Sequence, residues 1–415
     1  MTRSLRWIAT VLLVLLVGAV VCWWIWSSWQ LSKARRAWLE AYPQLAGEMS
    51  RRLASPANET ALKLEREAAL LGLNWAPKSS PRFSELAKSI PEEAEKQFSA
   101  VRPALSKWVE KQLGASRGDE GVAPQEVAAF LQSHQDHIAT LRHLLLNDPA
   151  PHWEEDLSAG WAAPVPNLLT SLAVVRILAA DVLWNIQQNN QTVAQQDLLA
   201  VRRLAQTLID RSELISVLVG MHMTRLVVTG IRQLANPDTS WLDWLEGLDV
   251  APKLERSFVS EAYLFAFRCP PFPEEERKSF FDPWQKSRCA QGSQLFLAFA
   301  RIAREKPCLG GSQAEEPLRA PGWMENPEST WFVPNLRSAL TRLQALHVHA
   351  SLTREVLLAR LGRKRPAAGT ITFDRGPCRG LPLEVTQAGS SWSWRWTGKE
   401  PELPEAWLPL AATLR

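Results

Sequence analysis

The sequence predicts a mainly α protein: an N-terminal transmembrane helix, an antiparallel helical domain, and a small C-terminal α+β module with an antiparallel sheet of about three strands. Three observations predict it. An uncharged apolar run stands near the N-terminus, and Leu and Ala recur at helical spacing through most of the chain. Alternating β-branched and aromatic residues gather only near the C-terminus. The 415 residues are 46% hydrophobic and 22% charged, which suits folded domains. The net charge of +4 comes with no concentrated basic stripe, so no nucleic-acid partner is expected. The expected divisions are 1–30 (cytoplasmic tip and transmembrane helix), 31–255 (helical domain), 256–335 (Pro/Gly/Cys-rich connection) and 336–415 (helix plus β module).

From Trp7 to Trp26 no side chain is charged. Twenty residues rise about 30 Å as a helix, the thickness of a bilayer's hydrocarbon core. A helix also satisfies its own backbone hydrogen bonds, which lipid cannot do. Trp7 marks one end, and Trp23, Trp24, Trp26 and Trp29 crowd the other, as interfacial aromatics do. The partner implied is the lipid bilayer. A cleaved signal peptide would have an apolar region of only about 7–15 residues, although Ser32-Lys33-Ala34 loosely fits a cleavage site. Cys22 follows bulky Val20 and Val21 and reads as an intramembrane cysteine, not a lipid attachment site.

Arg3 and Arg6 precede the run and Lys33, Arg35 and Arg36 follow it, so charge alone leaves orientation nearly tied. The cysteines break the tie. Cys269, Cys289, Cys308 and Cys378 are an even set in Pro- and Gly-rich surroundings, which suits two disulfides in an oxidising compartment. The helical run from Gln291 to Arg304 would hold Cys289 ~20 Å or more from Cys308, too far for a bridge. The favoured pairs are therefore Cys269 with Cys289, and Cys308 with Cys378. No CxxC spacing occurs, and no metal site is expected.

After the anchor, Ser32 to Leu53 reads as its continuation and Ala61 to Leu73 as a second amphipathic helix. Ser89-Ile90-Pro91-Glu92 has the form of a capping box opening a helix toward Leu113, kinked near Pro103. Pro124 to Leu146 follows. Pro166 to Gln188, Thr192 to Ile209 and Ser212 to Leu234 are joined by short links, which predicts up-down-up packing. From Cys269 to Asn335, prolines and glycines predict a long ordered loop broken by one short helix. Leu336 to Leu361 is a long helix with cations at its exit. Thr370 to Phe373, Leu381 to Gln387 and Ser391 to Trp396 read as strands, the last two joined through Ala388-Gly389.

Few residues suggest chemistry. Trp392, Trp394 and Trp396 alternate on one strand face; they cover the preceding helix or form a ligand or partner face. Glu154, Glu155 and Asp156 are adjacent acids, weak candidates for acid–base work on sugars. Asp181 interrupts an apolar stripe and needs a partner, which Arg202 or Arg225 could supply. His134, His137, His143, His347 and His349 form no HExxH pattern. GxSxG, Walker A and GxGxxG motifs are absent. No cofactor is expected, no catalytic residue is assigned, and a non-enzyme is favoured.

Pro151-x-Trp153, Asp156, Gly160, Pro164, Pro166-Asn167-Leu168-Leu169 and Arg211-x-Glu213-Leu214-Ile215-Ser216 resemble a set of uncharacterised bacterial proteins. Those have one N-terminal membrane helix and a helical extracytoplasmic domain. Asp374, Gly380, Leu381, Pro382 and Leu383 are similar to a segment of that set and of type II secretion pseudopilins. Arg375 replaces the expected Pro, and both the Tyr-Ser-x-Gly end and a prepilin cleavage pattern are missing. The resemblance implies a long helix leading into a small antiparallel sheet, and it transfers no functional residue. The expected protein is a bacterial inner-membrane, single-pass protein with its bulk in the periplasm, binding or scaffolding protein partners in an envelope or secretion assembly. The alternative is a periplasmic enzyme acting on cell-wall glycans.

Overall fold

The computed structural model describes residues 3–51, 55–114, 121–156, 159, 163–268, 282–305, 307–308, 329–397, 407 and 410–414. The fold is mainly α, with an N-terminal apolar helix and a C-terminal antiparallel sheet. Helix α1 (Arg3–Ala41) has 39 residues and rises about 58 Å, roughly twice a hydrocarbon core. Its first half is bare, with Val14 and Leu15 65% and 63% exposed. From Ser27 onward one face is buried: Ser27, Leu31, Ala34 and Trp38 recur at steps of four, three and four. That face packs on α12 (Ala251–Phe267) and α13 (Asp282–Glu305). Trp38 is fully buried against Tyr263 and Phe267, and its Nε1–H donates to the Val259 carbonyl at 2.9 Å.

The expected helix from Ser32 to Leu53 is divided, because Pro43 cannot continue a hydrogen-bond ladder and instead starts α2 (Pro43–Arg51). Helix α3 (Glu59–Leu70) is capped by Asn58, whose side chain accepts from the Ala61 N–H. It stops at Gly72, in the left-handed region at φ +80, where a Cβ would lie 2.4 Å from the Ala94 carbonyl oxygen. The capping box at Ser89 does not form. Ser89 belongs to α4 (Pro81–Ser89), and its hydroxyl donates back to the Leu86 carbonyl at 2.8 Å. Helix α5 (Glu92–Gly114) accommodates Pro103 in its interior. The expected helix from Pro124 to Leu146 is two, α6 (Gln125–Ser133) and α7 (Gln135–Asn147). They join at His134, whose backbone is non-helical.

Helices α8 (Leu168–Gln187), α9 (Gln191–Ile209) and α10 (Leu214–Gln233) pack on one another, as their short links require. Asn189 makes the first turn in the left-handed region (φ 58). After α11 (Ser240–Glu246), the chain corrects the expected loop. Helix α12 reaches Phe267, and α13 runs 24 residues from Asp282, so the described part of that region is largely helical. Pro283 fits because the first turn of a helix needs no N–H from it.

Helix α14 (Ser329–Arg360) packs on α10 and α11 and leads into the sheet. Strands β1 (Gly369–Thr372), β2 (Pro382–Ala388), β3 (Ser391–Trp396) and β4 (Ala411–Leu414) lie in that order, all antiparallel. Leu383 pairs with Trp396 and Val385 with Trp394, and these four form the sheet's buried inner face. The fourth strand was not expected from its short Ala-Ala-Thr-Leu sequence. A disulfide joins Cys308, beyond α13, to Cys378 in the β1–β2 connection. Cys289 is buried and disulfide-bonded, while Cys269 lies outside the described residues. Besides α1, helices α8 and α10 are long and apolar enough to cross a membrane. Their apolar windows are 61% and 72% buried within the fold, against 6% for α1.

Candidate functional site: a buried cationic cluster

The acids singled out by sequence are each engaged separately. Glu154 pairs with Arg82 at 3.4 Å, and buried Glu155 accepts from the Ser212 hydroxyl at 2.8 Å. Half-buried Asp156 accepts the Ala159 N–H through its backbone carbonyl. Glu154 and Glu155 therefore do not share one reacting point. The partner of Asp181 is neither Arg202 nor Arg225 but Arg142, at 2.6 Å. Arg142 also binds Asp197 at 2.5 Å. Asp197 is fully buried; burial first, and the Asp181 charge second, hold its carboxyl well above the usual range, with Arg142 opposing them. Arg202 instead lies over the rings of Trp241 and Trp244.

The tryptophan stripe is mostly core. Trp394 and Trp396 are buried and only Trp392 is half-exposed, so the strand does not present three indoles as an open ligand face. His137 binds Glu67 at 2.7 Å, His134 turns back to the Phe130 carbonyl, and His143 contacts Asn147. Buried His347 lies beside the Cys308–Cys378 disulfide, and these three are the group of potential metal ligands found among the described residues. Bonded to each other, the two sulfurs carry no thiolate, and the group serves as a covalent staple.

A different set of residues stands out by its unmet needs. Along α10, His222, Arg225, Thr229 and Arg232 recur at steps of three, four and three, on one face. Arg232 is fully employed. It donates to the Thr353 hydroxyl (2.6 Å), the Ala411 carbonyl (3.0 Å) and the His349 carbonyl (2.9 Å), tying α10, α14 and β4 together. It also faces the His349 Nδ1 at 3.3 Å, which makes that nitrogen the acceptor. The ring proton is then on Nε2, which donates to the Trp407 carbonyl at 3.0 Å.

Arg225, two turns earlier, is not employed in this way. It is 4% exposed, and its Nε–H and Nη2–H have no acceptor. Its guanidinium lies 5.4 Å from the Trp407 ring, and the His222 ring approaches the same indole at 6.1 Å. Arg176 of α8 lies close by, paired with Glu110 of α5 at 3.1 Å. Arg342 of α14 contributes another buried Nε–H without an acceptor. The positive charges of Arg225, Arg176 and Arg342 all act on His222, and Glu110 is the carboxylate acting on Arg225.

The chain matches no family model, no curated protein and no solved structure. The site therefore rests on its own chemistry. Four helices, α5, α8, α10 and α14, contribute three guanidiniums and one carboxylate whose charges act on His222 or Arg225, and Trp407 lies against those two residues. Unneutralised, desolvated cations with free donors make a place for an anion. Of these residues, sequence reasoning singled out only Arg225, as a partner for Asp181. An arginine inside an apolar helix is the signal that was available. Arg176 carries the same mark, standing between Val175 and Ile177 in α8, and was passed over; Arg342 carries none.

Proposed function

We propose that this protein is a single-pass, inner-membrane-anchored binding or scaffolding protein whose helical domain stands in the periplasm and works with envelope partners. The continuity of α1 carries the reading. Its bare apolar half leads without a break into the half that docks on α12 and α13, so the domain is held to the bilayer by a helix and not by a tether. The junction has the aromatic and cationic character of a headgroup zone. Lys286 lies 4.4 Å from the Trp24 ring, and Lys33 5.4 Å from that of Trp29. The domain's own packing around α8 and α10, with charged groups buried on both, supports α1 as the sole span. The disulfides support an oxidising compartment.

The test is fractionation of the full chain. Under alkaline carbonate the protein stays with membranes, and protease added to spheroplasts digests the domain. Release by carbonate, or protection from external protease, would overturn the reading.

A further inference from the structure

The Nε–H and Nη2–H of an arginine point the same way from one edge of the guanidinium plane. That edge takes a carboxylate or phosphate through two parallel hydrogen bonds. At Arg225 both donors are buried and unpartnered, while Trp407 lies 5.4 Å from the guanidinium carbon. Burying a guanidinium with its forked edge empty is costly, and Arg232 on the same helix shows how this fold otherwise meets such a need.

We propose that the forked edge of Arg225 binds the phosphate group of a ligand, with Arg176 and Arg342 supplying further positive charge. This deepens the binding half of the reading above and rests on it; membrane retention does not depend on it. Charge favours phosphate over a single carboxylate. Arg225, Arg176 and Arg342 all act on His222, and the carboxylate shown acting within this group is Glu110, which is already engaged by Arg176. Two positive charges therefore stay uncompensated, which matches a phosphomonoester near its dianionic form. The approach lies where the cluster is least covered: the side chains of Arg176 and Glu110 are 23% and 36% exposed, against 4% for Arg225.

The experiment is calorimetric titration of the full chain in detergent with inorganic phosphate and with glycerol 1-phosphate. A parallel arm uses nanodiscs containing phosphatidic acid, compared with phosphatidylcholine alone. Saturable binding of one phosphate per chain is expected. Binding of the soluble compounds identifies a free phosphate or phosphoester as the source, and binding confined to phosphatidic acid identifies a lipid headgroup. Arg225→Lys keeps the charge but presents no fork, and should weaken binding about 30-fold or more. Arg225→Met should abolish it while circular dichroism stays helical. If Arg225→Met fails to fold, Arg225→Lys together with Arg342→Gln carries the test. The proposal is overturned if none of the three probes binds, or if the Arg225 variants bind like the parent chain.

Discussion

Arg142 holds two carboxyls at once, and that imbalance of charge gives the fold one source of pH dependence. One guanidinium can neutralise one acid, so buried Asp197 holds its proton to higher pH than in the unfolded chain, where an aspartate releases it near pH 4. An acid whose folded pKa is raised gives its full stability below the unfolded value and loses it as pH rises through the folded one. Asp197 therefore contributes a stability that falls from about pH 5 to about pH 8, set against buried His222, His347 and His349, whose lowered pKa values make the fold gain stability as pH rises. Asp197→Asn should remove that fall from urea titrations across this range, and an unchanged pH dependence would remove Asp197 as its source. Arg142→Met strands both acids and should cost about 3–5 kcal/mol in the same urea titration. The need for a partner at Asp181 was legible from its apolar neighbours. The identity of that partner was not, because α7 meets α8 and α9 only in the folded chain.

At the level of the helix, close approach matters more than propensity. Gly220 lets α10 lie against α9: a Cβ there would stand 2.6 Å from Ile209 Cγ1 and 2.9 Å from the Ala205 carbonyl oxygen. The side chain could turn away, but the carbonyl belongs to α9 and can move only with it. Gly220→Ala should destabilise by about 1–3 kcal/mol, even though Ala gains ~1 kcal/mol of helix propensity. Urea midpoints would show it, and an unchanged or higher midpoint would mean that the helices separate freely. Helices α8 to α10 were legible because their apolar stripes are long and periodic. The division at His134 was not, since neither Pro nor Gly stands at that position to mark it. Nor was β4, whose four residues become a strand through pairing with β3.

Across the whole molecule, the Cys308–Cys378 bridge spans a sequence separation of 70 residues and closes a loop that contains α14 and β1. Closing a loop of this length restricts the unfolded chain by about 4 kcal/mol, before any strain in the folded state is subtracted. The double substitution of Cys308 and Cys378 by Ser should lower stability by about 2–4 kcal/mol while the helical circular dichroism persists. A melting temperature identical with and without the bridge would contradict this. Arg232 is the non-covalent counterpart, since it binds α14 and β4 from α10. The sheet is thus held to the rest of the fold by a covalent bridge and a buried guanidinium, together with the Arg354–Asp374 and Arg375–Glu246 ion pairs.

An uncharged run long enough to span lipid, helical periodicity, and alternating residues near the C-terminus are properties of neighbouring residues. They can be read along the chain, as can the helix length that kept Cys289 from Cys308; that Cys308 meets Cys378 was favoured there and is seen in the fold. Which face of a strand is covered, which base answers a buried acid, and which arginine is left without an acceptor depend on which elements touch. Trp394 turning inward, Asp181 meeting Arg142, and Arg225 gathered with Arg176 and Arg342 are therefore results of packing, since each involves residues brought together from distant helices and strands.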